Sequence, residues 1–217
     1  MFPELSLTGY ELEAPAIEPA DPALRPIAEA CAATGSLAFV GAPIERDGQR
    51  YIATLVIDGS GVGVAYEKSH LGGDERRSHT PGAGPIAVTV DGWNVGMGIC
   101  KDTGVAAHTK GTSALGVDVY VAGVVHAPEE LDEQDARGLR IAAACDAYVA
   151  FASAAGPTGG GYDARHVHDL VARRRDPGSR DAGAGRPCPR CAATQVAREG
   201  PLLLSMPRGC ALRVETP

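Results

Sequence analysis

Three residues far apart in the chain, Glu4, Lys68 and Cys100, are of the types that acyl chemistry needs: a base, a cation and a sulfur nucleophile. Cys100 closes the apolar run Val95-Gly96-Met97-Gly98-Ile99 and precedes a helix-like segment. The two glycines allow another backbone to approach closely. A cysteine at a strand-to-helix bend lies near helix amides, which stabilise a thiolate and lower the thiol pKa from about 8.5. Taken alone, such a cysteine is more often a small buried hydrophobe, and Cys31 and Cys145, inside helical apolar patterns, are read that way.

Lys68 follows a strand-like run in Tyr66-Glu67-Lys68-Ser69-His70-Leu71. A lysine held near a carbonyl stabilises the oxyanion of a tetrahedral intermediate, although an isolated loop lysine is usually solvated. Glu4 sits in Phe2-Pro3-Glu4-Leu5-Ser6-Leu7-Thr8-Gly9-Tyr10. Apolar neighbours would desolvate its carboxyl and raise its pKa toward that of a general base; the bland alternative is a frayed terminal acid.

The elements that must position these residues alternate between strand and helix. Residues 21–34 read as a helix closed by Gly35. Residues 36–44 read as a buried strand, and 49–57 and 63–67 as paired strands about the turn-rich Asp58-Gly59-Ser60-Gly61. Residues 85–90 and 94–99 form a second pair joined at Asp91-Gly92. Helix at 105–115, strand at 117–125, helix at 128–145 and strand at 147–153 complete the pattern. Pro128 and the acids after it suit a helix start. The fold class is α/β or α+β with a mixed sheet.

The chain has 217 residues, 44% of them hydrophobic, enough for one domain with a sizeable core. No apolar run is long enough to span a bilayer, and the N-terminus lacks the pattern of a signal peptide, so no membrane role is expected and the default compartment is the cytoplasm. Six cysteines in a chain this long imply reduced thiols rather than a disulfide scaffold. Residues 1–163 carry 10 basic against 22 acidic side chains, a balance that argues against nucleic-acid binding.

The character changes after Gly159-Gly160-Gly161. Residues 164–217 hold 10 arginines, no lysine and 5 acids, with no clean period, and read as an irregular, disordered tail. Cys188-Pro189-Arg190-Cys191, with His166, His168 and Cys210 nearby, has one metal-like spacing but no second pair, so no metal is assigned. The run Arg173-Arg174-Arg175 is read as solvated rather than as a nucleic-acid arm.

In order, the runs Phe2 to Tyr10, Tyr66 to Leu71 and Gly98-Ile99-Cys100-Lys101-Asp102 resemble the three signatures of the nitrilase superfamily of carbon–nitrogen hydrolases. The likeness includes Thr80-Pro81-Gly82, Val90-Asp91-Gly92-Trp93, Ala114-Leu115-Gly116-Val117-Asp118 and Arg140-Ile141-Ala142, and spans residues 1–163. It implies an α-β-β-α sandwich with mixed sheets, incomplete here at both ends, and a Glu4–Lys68–Cys100 triad. Glu75 resembles the family's second glutamate, with Asp74 an adjacent competitor. The implied reaction is hydrolysis of an amide, carbamoyl or nitrile group through a cysteine thioester, with no cofactor. The implied partners are a small-molecule substrate and a second copy of the chain in a homodimer. The alternative is a catalytically impaired fragment of the same family.

The chain departs from the family pattern in three places. Lys101-Asp102-Thr103-Gly104-Val105 replaces the usual aromatic and Arg-Phe-Pro-Glu-like run, so Lys101 and Asp102 are taken as candidate substrate contacts. Only Met1, Phe2 and Pro3 precede Glu4, where relatives carry a strand and helix, so little is expected to fix the carboxylate. The family's Gly-x-Ser-x-x-Trp-x-Pro-like strand is missing from the tail. One back-translation of residues 165–177, shifted by one base, reads Gly-Thr-Ser-Thr-Ile-Trp-Ser-Pro, which points to a frameshift that sequencing across codon 165 would test.

Overall fold

The computed structural model describes residues 1–159 together with the strand backbone of Leu170–Ala172. Hairpin propensity builds the first sheet: β1 (Ala38–Arg46), β2 (Gln49–Asp58) and β3 (Gly61–Glu67) pair antiparallel in chain order. Between β2 and β3 the Asp58 carboxylate accepts from the Ser60 and Gly61 amides at 2.7 and 3.1 Å and closes the turn.

The second sheet has the order β4 (Ala87–Val90), β5 (Trp93–Ile99), β6 (Val119–Val124), β7 (Tyr148–Ser153) and β8 (Leu170–Ala172). β4 and β5 form a hairpin whose two turn residues, Asp91 and Gly92, both have positive φ (51° and 80°), as the Asp-Gly pair predicts. β5, β6 and β7 are parallel, and the crossovers carry α2 (Ala106–Ala114) and α3 (Leu131–Cys145). β8 pairs antiparallel with β7, so part of the tail expected to be irregular joins the sheet. The remaining expectations for residues 164–217, the Cys188–Cys191 pair and the frameshift among them, lie outside the described residues.

Side-chain alternation sorts the core into three layers. On β2, Ile52 and Val56 face the space between the sheets, while Ala53, Leu55 and Ile57 face α1 (Arg25–Thr34). Met97, Ile99 and Val121 of the second sheet meet Phe39, Ile52 and Tyr66 of the first. Behind the second sheet, Tyr120, Val124 and Phe151 pack on Ile141 and Ala142 of α3. The layering is α-β-β-α, as the resemblance implies. Burial of each such aliphatic or aromatic side chain contributes roughly 1.5–3 kcal/mol. α1 ends at Gly35 in the left-handed conformation (φ 66°). Among the described residues no helix is long and apolar enough to cross a membrane.

Candidate active site

Cys100 is the first residue past β5 and opens a 3₁₀ turn, Cys100–Gly104, before α2 begins. Its φ of 38° is uncommon for a residue with a side chain. Such a conformation costs about 1–3 kcal/mol and persists only where the surroundings enforce it. The sulfur projects across the end of the sheet and meets the Val125 carbonyl, just past β6, at 3.5 Å. The residue as a whole is partly buried, but its thiol is enclosed.

Lys68 leaves β3 and turns inward. Its amide donates to the Ile52 carbonyl at 2.8 Å, and its own carbonyl accepts from Gly82 at 2.8 Å, so the Thr80-Pro81-Gly82 run holds the lysine's backbone. The residue is 1% exposed, far from the solvated loop lysine that isolation would suggest. Its Nζ lies 2.6 Å from Glu4 Oε1 and 2.6 Å from Glu75 Oε1. Asp74, the competitor of Glu75, is exposed and pairs instead with Arg77 at 3.5 Å.

Glu4 is held tightly, contrary to the expectation that little would fix it. Its segment is an irregular turn wedged between the two sheets. A Cβ on Gly41 of β1 would collide with the backbone of Pro3, Glu4 and Leu5. A Cβ on Gly123 of β6 would lie 2.6 Å from the Phe2 carbonyl oxygen and 2.8 Å from the Glu4 nitrogen. The Phe2 amide donates to the Phe39 carbonyl at 2.8 Å and the Leu7 amide to the Gly41 carbonyl at 3.0 Å.

The two carboxylates on Lys68 are not equivalent. Burial pushes Glu75 up, but Lys68 and hydrogen bonds from Tyr10 and the Gly72 amide outweigh it and hold the carboxyl below the usual range. Tyr10 OH donates to Glu75 Oε1 at 2.6 Å, and Gly72 donates to Oε2 at 2.5 Å. Glu4 is raised, because its complete burial exceeds the attraction of Lys68 and Glu75 adds repulsion. Its Oε2 is buried and has no hydrogen-bond partner among the described residues. Burial alone would lower Lys68, yet Glu4, Cys100 and Glu75 together raise it. The site therefore keeps a charged ammonium, a charged Glu75 and a Glu4 disposed to take a proton.

The Cys100 thiol lies close enough to Glu4 to act on its carboxyl. Its pKa is pushed up to about 12 by burial and by the charge of Glu4, which outweigh Lys68. The expected lowering by helix amides does not occur, because α2 starts only at Ala106 and the sulfur is instead buried and faces two carboxylates.

Of the two candidate substrate contacts, Lys101 is exposed and Asp102 fully buried. Both oxygens of Asp102 are taken by protein donors, the Ile99 amide among them at 3.1 Å. Sequence reasoning assigned no role to Tyr10, which completes the shell of Glu75, or to His126. His126 is 3% exposed, follows Val125, and puts Nδ1 2.9 Å from Gln134 Oε1, which also accepts from Ser153. Tyr10 was in view, in the run Gly9-Tyr10, whereas nothing local marks His126. A groove of about 350 Å³ between α2 and α3, lined by Thr109 and Arg140, contains none of the clustered charges.

Residues 1–172 match the family model described as carbon-nitrogen hydrolase. The chain belongs to the carbon-nitrogen hydrolase family. An (R)-stereoselective amidase from a Pseudomonas species is 26% identical over 125 residues, 56% of this chain and 46% of that one. A hydrolase encoded in the pqqF 5′ region of Pseudomonas protegens is 36% identical over 112 residues, 47% of this chain and 39% of that one. The match thus spans less than half the length of either relative. Among solved structures, the chain resembles XC1258 from Xanthomonas campestris, a CN-hydrolase superfamily protein (TM-score 0.70, 16% identity, covering 79% of this chain and 68% of that one). It also resembles Nit3 of Saccharomyces cerevisiae, of branch 10 of the nitrilase superfamily (TM-score 0.68, 16% identity, 80% and 68%). A third similar structure is the amidase of Nesterenkonia sp. AN1 in complex with butyramide (TM-score 0.66, 21% identity, 79% and 68%).

Proposed function

We propose that this carbon-nitrogen hydrolase cleaves a non-peptide carbon–nitrogen bond of a small amide through a thioester on Cys100. One observation carries the reading: a single buried ammonium, Lys68, is shared at 2.6 Å by two carboxylates shifted in opposite directions, beside a strained cysteine. Two titrating groups of one kind, pushed apart by their surroundings, mark an acid–base assignment.

Glu4 takes the thiol proton from Cys100 as the sulfur attacks the carbonyl carbon. Oε2, the oxygen without a partner, is the one left to receive it. An ammonium has three N–H donors, and Glu4 and Glu75 engage two, so the third is available to the developing oxyanion together with a backbone amide beside Cys100. Protonated Glu4 then gives its proton to the departing ammonia, and the carbonyl is left bonded to sulfur. Water, deprotonated by Glu4, attacks the thioester; carboxylic acid leaves and the thiol is restored. Glu75 stays charged throughout and holds Lys68. The amidase of Nesterenkonia sp. AN1 has been captured with acrylamide added at its active-site cysteine.

The decisive experiment mixes the chain with butyramide and measures ammonia release and the intact mass. Turnover that disappears in Cys100→Ala, with an acyl adduct located on Cys100, supports the reading. Absence of both ammonia and adduct supports the other reading, a catalytically impaired fragment.

A further inference from the structure

A second buried cluster lies beside the charged one, and the reaction sequence above uses none of it. Asp102 is 0% exposed, two residues after the nucleophile, and five donors converge on its carboxylate. Oδ1 accepts from Ser69 Oγ at 3.0 Å, from the His70 amide at 2.9 Å and from His70 Nδ1 at 2.9 Å. Oδ2 accepts from Tyr66 OH at 2.8 Å and from the Ile99 amide at 3.1 Å. Four of these donors therefore belong to residues 66–70, the turn that carries Lys68. The fifth belongs to the residue before Cys100.

The surrounding groups fit this acceptor role. Tyr66 gives its one proton to Asp102, so its oxygen accepts from the Ser69 amide at 3.3 Å and from His108 Nε2 at 2.9 Å. That fixes the His108 proton on Nε2 and ties α2 to the same centre. His70 is the member nearest solvent, its side chain 33% exposed. His70 and His108 stand edge to face, with ring centroids 5.8 Å apart.

We infer that Asp102 is a positioning residue, a buried clamp that fastens the Lys68 turn to the Cys100 elbow and so sets the relation between ammonium and sulfur. Lys68 and Cys100 follow strands of different sheets, and among the described residues no ladder hydrogen bond runs between those sheets. Their mutual placement must come from contacts that cross the sandwich. A carboxylate with donors from both sides is such a contact, and an apolar interface alone would fix it less sharply. The inference rests on the proposed hydrolase reading for its effect on rate, but not for its effect on thiol reactivity.

The test uses Asp102→Asn, Tyr66→Phe and their double variant, with folding checked by circular dichroism. Two quantities are read: kcat and KM for butyramide, and the rate of iodoacetamide modification at Cys100, located by mass spectrometry. Asp102→Asn turns an amide group against either the Ser69–His70 donors or the Tyr66–Ile99 donors. The expected result is a fall in kcat of about a hundredfold, with KM changed by less than about threefold. Modification of Cys100 should slow by about tenfold in parallel, because Lys68 no longer meets the sulfur as it ionises. Tyr66→Phe should cost about tenfold in kcat, and the double variant should match Asp102→Asn, since Tyr66 acts through Asp102. Should Asp102→Asn not fold, Tyr66→Phe and Ser69→Ala carry the same test through a shared, non-additive loss.

Additive losses, or a folded Asp102→Asn with unchanged Cys100 modification, would overturn the clamp. A wild-type chain that releases no ammonia would overturn the hydrolase reading instead, and the modification rates would still decide the clamp.

Discussion

The two ends of the proposed proton transfer are built in opposite ways. Cys100 stands on an elbow assembled locally: β5 delivers it, Asp102 receives the Ile99 amide, and Thr103 Oγ1 donates to the Cys100 carbonyl at 2.6 Å. Glu4 stands on an irregular turn that owes its place to distant residues, with Gly41 of one sheet on one side and Gly123 of the other on the opposite side. The nucleophile's elbow is shaped by its neighbours in sequence and fastened to the Lys68 turn through Asp102, whereas the base owes its whole placement to the closing of the sandwich. Order at Glu4 is therefore a property of the whole fold, and damage far from the site should reach the base first.

The comparison breaks most sharply at the two glycines. Gly123→Ala and Gly41→Ala each push a methyl group into peptide backbone, which cannot rotate aside as a side chain does. Each is expected to cost about 1–3 kcal/mol of stability through overpacking. Turnover should fall by about a hundredfold or more, since about 1 Å of misplacement suffices for that. Modification of Cys100 by iodoacetamide should change far less in Gly41→Ala, because Gly41 lies in the other sheet, whereas Gly123 pairs with Ile99 beside the nucleophile. Equal loss of turnover and thiol reactivity would show that base and nucleophile share one support.

The next largest effect separates the two carboxylates. Removing the charge of Glu75 leaves Lys68 in a buried site with a poorer partner, and Glu75→Gln is expected to cost about 3 kcal/mol or more. Glu4→Gln removes a carboxylate whose burial exceeds its attraction to Lys68. It should raise stability near neutral pH while abolishing turnover. The pH dependence follows from the opposite shifts. The folded chain releases the Glu75 proton more readily than the unfolded one, so this stabilisation is present above the ordinary carboxylate range and is lost as pH falls through the lowered value. Glu4 binds its proton more tightly when folded, so stability declines as pH rises from its ordinary value through the raised one. Denaturation midpoints should accordingly place Glu4→Gln increasingly above wild type as pH rises from about 4 to about 8, and should bring wild type down toward Glu75→Gln as pH falls below the ordinary carboxylate range.

Much of this architecture was legible because it is local. The Asp-Gly turn at Asp91-Gly92, the helix stop at Gly35 and the β-branched run through β6 each state their structure within a few residues. The family signatures brought Glu4, Lys68 and Cys100 into view together. What could not be read is whatever depends on two segments meeting. The sequence around Glu4 says nothing of Gly41 and Gly123. The run after Cys100 offers Asp102 as a possible substrate contact, and only the fold brings Tyr66, Ser69 and His70 to its oxygens. The raised Cys100 thiol is hidden for the same reason: amides of a following helix are predictable from sequence, whereas the burial of the sulfur and the carboxylates brought beside it from elsewhere are not.

The smallest expected effect lies on the elbow side, behind the nucleophile. Gly98 has no room for a side chain, because a Cβ there would fall on the Tyr120 hydroxyl, with Cζ 2.8 Å away. That hydroxyl is buried and has no hydrogen-bond partner among the described residues. Tyr120→Phe removes an oxygen without breaking a bond to any described residue, so stability should hold or rise by about 1 kcal/mol. Gly98→Ala alone should destabilise by about 1–3 kcal/mol. In the Tyr120→Phe background it should cost less, since the first clash is gone and only the ring edge must shift. A double-mutant cycle on denaturation midpoints measures that coupling, expected at about 0.5 kcal/mol or more. A strictly additive pair would mean that the β5 backbone moves to make room. The elbow would then be as dependent on distant packing as the turn that carries Glu4, and the contrast between the two supports would vanish.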